Sequence, residues 1–129
     1  MPENQESPQQ PFADFRRDED FEALYANNVQ FQPSEWDLKA IFGEVDFENG
    51  KPFVQQHTSI AMPWLQAKIL LYFLALHVGA YELGNGKIVI PAGVLPPEPP
   101  LPTGELESNT LAMQVHEYAK KMREMFILK

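Results

Sequence analysis

Three histidines, His57, His77 and His116, are the side chains of this sequence best suited to chemistry near neutral pH. None lies four residues from another, and the chain has no cysteine. No zinc-type spacing, thiolate nucleophile or disulfide is therefore available. On a strand and a long helix respectively, His57 and His77 could approach each other. With Ser59 they would make a small hydrolase or ligand sensor. No GxSxG-type elbow presents Ser59 or Thr58, however. A hydrogen-bonded structural histidine is the commoner explanation of each ring. Gly84-Asn85-Gly86 lacks the spacing and the strand-to-helix context of a phosphate loop. Asp46 and Glu48 flank a turn and make a solvated end, and Trp36 and Trp64 suit a core. The expectation is a non-catalytic protein with no cofactor and no metal.

Charge narrows the partners. The 129 residues carry a net charge of -8. Residues 1–22 hold seven acids and two bases, or -5; residues 23–91 contribute -2 and residues 92–129 contribute -1. Phosphate backbones and anionic lipid surfaces bind basic patches, so nucleic acid and membrane are not expected partners. Residues 1–20, rich in Pro, Gln, Glu and Asp, cannot bury enough apolar area to offset ordering and read as a disordered acidic tail. Phe12, Phe15 and Phe21 leave a weaker possibility that this tail docks through its aromatics. The N-terminus has no basic segment followed by an apolar one, so no signal peptide is expected. With the absence of cysteine, this suggests a cytoplasmic protein.

Residues 21–91 carry the patterns of one α+β domain. Period-two alternation marks strands at roughly 24–32, 35–47 and 51–61. Val29 and Phe31 alternate with polar residues in the first. Trp36, Leu38, Ala40 and Phe42 share one face of the second. Val54, Thr58 and Ile60 share one face of the third. Pro33-Ser34 signals the first turn. Asn49-Gly50 tolerates the positive φ of a tight hairpin and signals the second. A three-stranded antiparallel meander follows, with Lys87–Pro91 as a possible fourth, edge strand.

The most apolar stretch is Met62–Tyr81. Gln66, Lys68 and His77 interrupt it, and its longest apolar run, Ile69–Leu76, is short for a membrane span. Pro63 suits a first helical turn and Gly84-Asn85-Gly86 a stop, which predicts a helix over 63–83. At 100° per residue Gln66 and His77 fall near one meridian, Lys68 and Glu82 near the opposite one. Leu65, Ile69 and Leu76 occupy one flank; Leu70, Phe73 and Ala80 spill toward the other. A helix apolar nearly all round is covered on more than one side. The meander can cover one side only, so self-association is expected to cover the other.

Residues 92–107 form a proline-rich linker with PxxP spacings at Pro96/Pro99 and Pro99/Pro102. Its acids, Glu98, Glu105 and Glu107, favour a stiff spacer over a ligand for SH3-type grooves. Residues 108–129 read as an amphipathic helix capped by Ser108 or Asn109. Leu111, Val115, Tyr118, Met122 and Met125 recur at spacings of four and three, a seam of about two heptads. Such a helix either packs on its own domain or docks on a neighbour.

Tyr25, Asn27, Phe42, Gly43, Pro63, Ala67, Lys68, Tyr81 and Glu82 give a run of motifs over about residues 24–90. In these the chain resembles a small bacterial family catalogued as domain of unknown function 3467. Trp64-Leu65 replaces the more polar residues that this family places after the proline. The resemblance implies a strand-strand-strand-helix fold and no assigned reaction. That order of elements is also similar to the SecB family of export chaperones, an analogy of fold alone.

The function expected is a non-catalytic, oligomeric protein-interaction module, a homodimer or higher homo-oligomer. Its expected surface comprises Leu65, Ile69, Phe73 and Leu76 with Leu111, Val115, Tyr118, Met122 and Met125. A chaperone-like or adaptor protein that binds other polypeptides is the alternative.

Overall fold

The structure, a computed structural model, describes residues 14–91, 93–104 and 109–127. Three strands, β1 (Asn28–Pro33), β2 (Asp37–Glu48) and β3 (Lys51–Pro63), precede two helices, α1 (Trp64–Asn85) and α2 (Thr110–Ile127). The strands form one antiparallel sheet in the order β1-β2-β3. The α+β meander, long apolar helix and C-terminal helix expected from the sequence are all present. Lys87–Pro91 adds no strand. Most of the predicted acidic tail, residues 1–13, lies outside the described residues; residues 14–27 carry neither helix nor strand. The chain divides into two compact units, Met1–Gly79 and Ala80–Lys129.

Local chemistry explains both turns of the sheet. At the first, the Ser34 hydroxyl accepts from the backbone N–H groups of Trp36 and Asp37 at 3.2 and 3.0 Å. The Ser34 N–H donates to the Asp37 carbonyl at 2.9 Å and closes the turn. At the second, Asn49 and Gly50 have φ of 52° and 77° between the paired residues Glu48 and Lys51. This is the two-residue hairpin that Asn-Gly predicts.

A bulge interrupts β3. Phe42 pairs with Thr58 but Gly43 pairs with Gln56, which leaves His57 as the extra residue. Gly43 is needed there, because a Cβ at this position would stand 2.5 Å from the Gln55 carbonyl oxygen. Before β1, the Asn27 side-chain oxygen accepts from the Val45 N–H at 2.9 Å, and the Asn27 N–H donates to the Gly43 carbonyl at 3.0 Å. Asn27 and Gly43 thus meet at one backbone irregularity.

The bulge corrects one expectation. Val54 does not share a face with Thr58 and Ile60: it pairs with Val45, whereas Thr58 and Ile60 pair with Phe42 and Ala40. One inserted residue reverses the facing of everything beyond it. Along β2 the apolar side chains change face at the same place. Leu38, Ala40 and Phe42 are on one side and Val45 and Phe47 on the other.

Pro63 ends β3 and Trp64 begins α1, with no residue between them. Strand-to-helix connections that let a helix fold back on its sheet usually span several residues. Within the first unit, α1 accordingly does not pack on the sheet; the packed elements are the strands themselves. This corrects the expectation that the meander covers one side of the helix. It also places Trp36 and Trp64 outside any core, both being exposed. The Trp64 indole N–H still donates to the Ser34 carbonyl at 3.0 Å and ties the helix start to the first turn. At the other end Gly86, with φ of 89°, donates its N–H to the Glu82 carbonyl and closes the helix.

In the second unit, Asn109 caps α2 by accepting from the Ala112 N–H at 3.1 Å. The proline-rich residues 95–103 lie along α2 as a strap. The Arg123 Nε–H donates to the Pro96 carbonyl at 2.8 Å, and Lys120 faces Glu98 at 3.7 Å.

Candidate interaction surface

Burial is scarce in this chain. Among the described residues, Ala40, 1% exposed, is the one buried hydrophobic side chain. It sits at the centre of the sheet, flanked across the register by Phe31 and Ile60. Those neighbours are themselves exposed, and so is Val29 on the same face. Face-sharing follows from the register: Val29 with Phe42, Phe31 with Ala40, and Ile60 with Ala40. The opposite face at this end is mainly polar, with Gln30, Gln32, Lys39 and Ser59 beside Ile41 and Ala61. One apolar and one polar face is the usual mark of a half-buried antiparallel sheet.

No residue of α1 is buried. Leu65, Ile69 and Leu76 are exposed and Phe73 is half-buried, with Tyr72 edge-on to it at 5.1 Å between ring centroids. Leu70, Leu74, Val78 and Tyr81, on the other flank, are exposed as well. By length and composition alone α1 is also long and apolar enough to cross a membrane.

The histidines have separate surroundings. His57 approaches the Tyr25 carbonyl through Nε2 at 2.9 Å and the Thr58 hydroxyl through Nδ1 at 2.7 Å. A carbonyl only accepts, so Nε2 carries the proton and Nδ1 accepts from Thr58. His57 therefore joins the segment before β1 to the bulge. Ser59 is paired with Ile41 in the sheet, and His77 is exposed on α1. His116, on α2 in the second unit, is 7% exposed, and its Nδ1 has no hydrogen-bond partner. Among the described residues no cluster of His, Asp and Glu could hold a metal.

On α2 the strap covers the face of His116, Ala119 and Arg123. It leaves two shallow apolar cavities, of about 640 and 410 Å³. Leu111, Val115 and His116 line the first with Pro99 to Thr103; Met122 and Phe126 line the second with Leu95, Pro96 and Pro97. Of the expected heptad seam, Leu111, Val115, Tyr118 and Met125 are exposed and Met122 is half-buried. The α1 positions of the expected surface belong to the first unit and the α2 positions to the second. Sequence reasoning missed Phe31 and Ile60 as part of an open surface. Period two marks them as apolar-facing, but only the path of α1 shows that this chain's first unit leaves them uncovered.

No family model, curated protein or solved structure matches this chain.

Proposed function

We propose that this protein is a non-catalytic interaction module that works as a homodimer or higher homo-oligomer. The observation that carries the reading is α1: 22 residues, predominantly apolar, none of them buried. A continuous apolar surface of this extent exceeds what a soluble monomer normally exposes. The exposed face around Ala40 adds a second surface with the same need. The non-catalytic part is supported by His57, whose two ring nitrogens are engaged by Tyr25 and Thr58. The net charge of -8 supports a protein partner over nucleic acid. A cytoplasmic location and kinship with the family resembled at Tyr25, Asn27 and Gly43 belong to the same proposal.

Light scattering at micromolar concentration tests it. The expected mass is at least two chains, and a clean monomer overturns the reading. The apolar cavities beside the strap favour a second reading, a chaperone-like or adaptor protein that receives other polypeptides along α2. Suppression of the aggregation of an unfolded client by the dimer separates the two.

A further inference from the structure

We infer that a second copy of this chain covers the sheet. Its α1 lays the Leu65–Ile69–Leu76 flank on the apolar face that carries Phe31, Ala40 and Ile60. The inference rests on the self-association reading and adds which surface meets which.

Four observations lead there. First, each chain carries both halves of the contact, an uncovered apolar sheet face and an uncovered apolar helix. Second, the chain's own geometry keeps these halves apart. With no residue between Pro63 and Trp64, and with Trp64 held to Ser34, α1 leaves from the end of β3 without folding back. A neighbour's helix has no such tether, and exchange of an identical element is a low-cost route to a dimer.

Third, the areas suit a stable dimer. Five large apolar side chains on this flank of α1 (Leu65, Ile69, Tyr72, Leu76 and Leu83) and three on the sheet face (Val29, Phe31 and Ile60) are more than a third exposed. At about 100 Å² apiece these eight offer on the order of 800 Å² per chain, about the 800 Å² per partner of a standard interface. Fourth, the charges stand clear. Lys39 projects from the opposite face of the sheet; Glu44, Asp46 and Glu48 share the face of Ala40 but lie beyond Phe42, toward the Asn49-Gly50 turn; and on the helix Lys68 and Glu82 lie outside the Leu65–Ile69–Leu76 flank. A contact confined to the Leu38–Phe42 end of the sheet therefore buries no unpaired charge. A two-fold axis makes it twice, so both sheets and the Leu65–Ile69–Leu76 flank of both helices are covered and the assembly closes.

The chain has no native cysteine, so introduced thiols report without background. An Ile60→Cys chain is co-expressed with a differently tagged chain bearing Leu65→Cys, Ile69→Cys, Leu76→Cys or, on the other flank, Leu74→Cys. Mild oxidation is expected to link the two tags through at least one of the three flank positions. That yield should be at least tenfold above the yield at Leu74→Cys. A doubly substituted Ile60→Cys/Ile69→Cys chain should likewise link between chains.

Three results overturn the inference. Closure of the double variant within one chain means that the helix does fold back on its own sheet. A stable dimer that links Leu74→Cys to itself, and never sheet to helix, means that the helices pair with each other; self-association then survives. A monomer without cross-links, or one that sediments with phosphatidylcholine vesicles, removes this inference and the self-association reading together.

Discussion

The two helices of this chain have different relations to cover. α2 lies under a strap from its own unit, held by the bond from Arg123 to the Pro96 carbonyl and flanked by Pro99 and Phe126. α1 has no such strap among the described residues, and none of its 22 residues is buried. The composition of each helix matches its position. α2 mixes Lys120, Lys121, Arg123 and Glu124 among its apolar positions, so a modest cover suffices. α1 has three side chains that can carry charge near neutral pH, Lys68, His77 and Glu82, in six turns. The contrast teaches where assembly should reside. A helix that brings its own cover can tolerate a missing neighbour, whereas a nearly all-apolar one cannot.

The largest expected effect tests that contrast directly. Ile69→Glu with Leu76→Glu places two carboxylates on the α1 flank. Burying even one unpaired charge at an interface costs several kcal/mol, so the proposed dimer should weaken at least about a hundredfold. The matching pair on α2, Leu111→Glu with Val115→Glu, should change the dimer dissociation constant less than about threefold, within the scatter of surface substitutions. Sedimentation equilibrium on both proteins decides. Equal weakening by the two pairs would erase the distinction between the helices and move the interface to both.

Much of this contrast is legible in the sequence. The alternation of Leu38, Ala40 and Phe42, the Asn49-Gly50 hairpin and the apolar run into Gly86 specify the strands and the helix, because each signal is local. Three features are not legible for physical reasons. The bulge at His57 is one inserted residue. It shows only as a phase slip between Val54 and Thr58, which strand period alone does not distinguish from a polar interruption. The open sheet face depends on the absence of any residue between Pro63 and Trp64, and local patterns do not fix the ends of a strand and a helix that closely. The strap depends on Arg123 reaching back 27 residues to Pro96, and proline-rich segments carry no period that reveals which face they contact. What the sequence does show about sites is mostly architectural. Tyr25, Asn27 and His57 converge on the bulge instead of on a cavity.

The next effect in size belongs to that bulge. Gly43→Ala would bring a methyl group to 2.5 Å from the Gln55 carbonyl oxygen, against backbone that cannot step aside cheaply. The expected loss is about 2 kcal/mol, the usual cost of overpacking. It should appear as a lower urea midpoint. Gly79→Ala serves as the control: nothing lies within 4 Å of its Cβ in the chain, and alanine favours the helix by about 1 kcal/mol. Opposite shifts for the two substitutions would confirm that Gly43 is required by close approach. If Gly79→Ala also lowers the dimer's midpoint, the second copy approaches α1 at Gly79, and the comparison between covered and open helices gains a contact point.

The smallest effect concerns the strap. Arg123→Lys keeps the positive charge but removes the Nε–H that donates to Pro96 at 2.8 Å. The Lys120–Glu98 pair remains, but solvent-exposed pairs of this kind contribute little. The expected cost is about 1 kcal/mol, the usual net value of one hydrogen bond. Because the strap prolines lack amide protons, the readout is NMR contact between the side chains that line the second cavity, Pro97 and Pro99 on the strap with Ala119 and Met122 on α2. These contacts should weaken in Arg123→Lys while the mass of the assembly stays unchanged. A change of mass instead would mean that the strap takes part in the proposed assembly, and that α2 as well as α1 draws cover from a second copy.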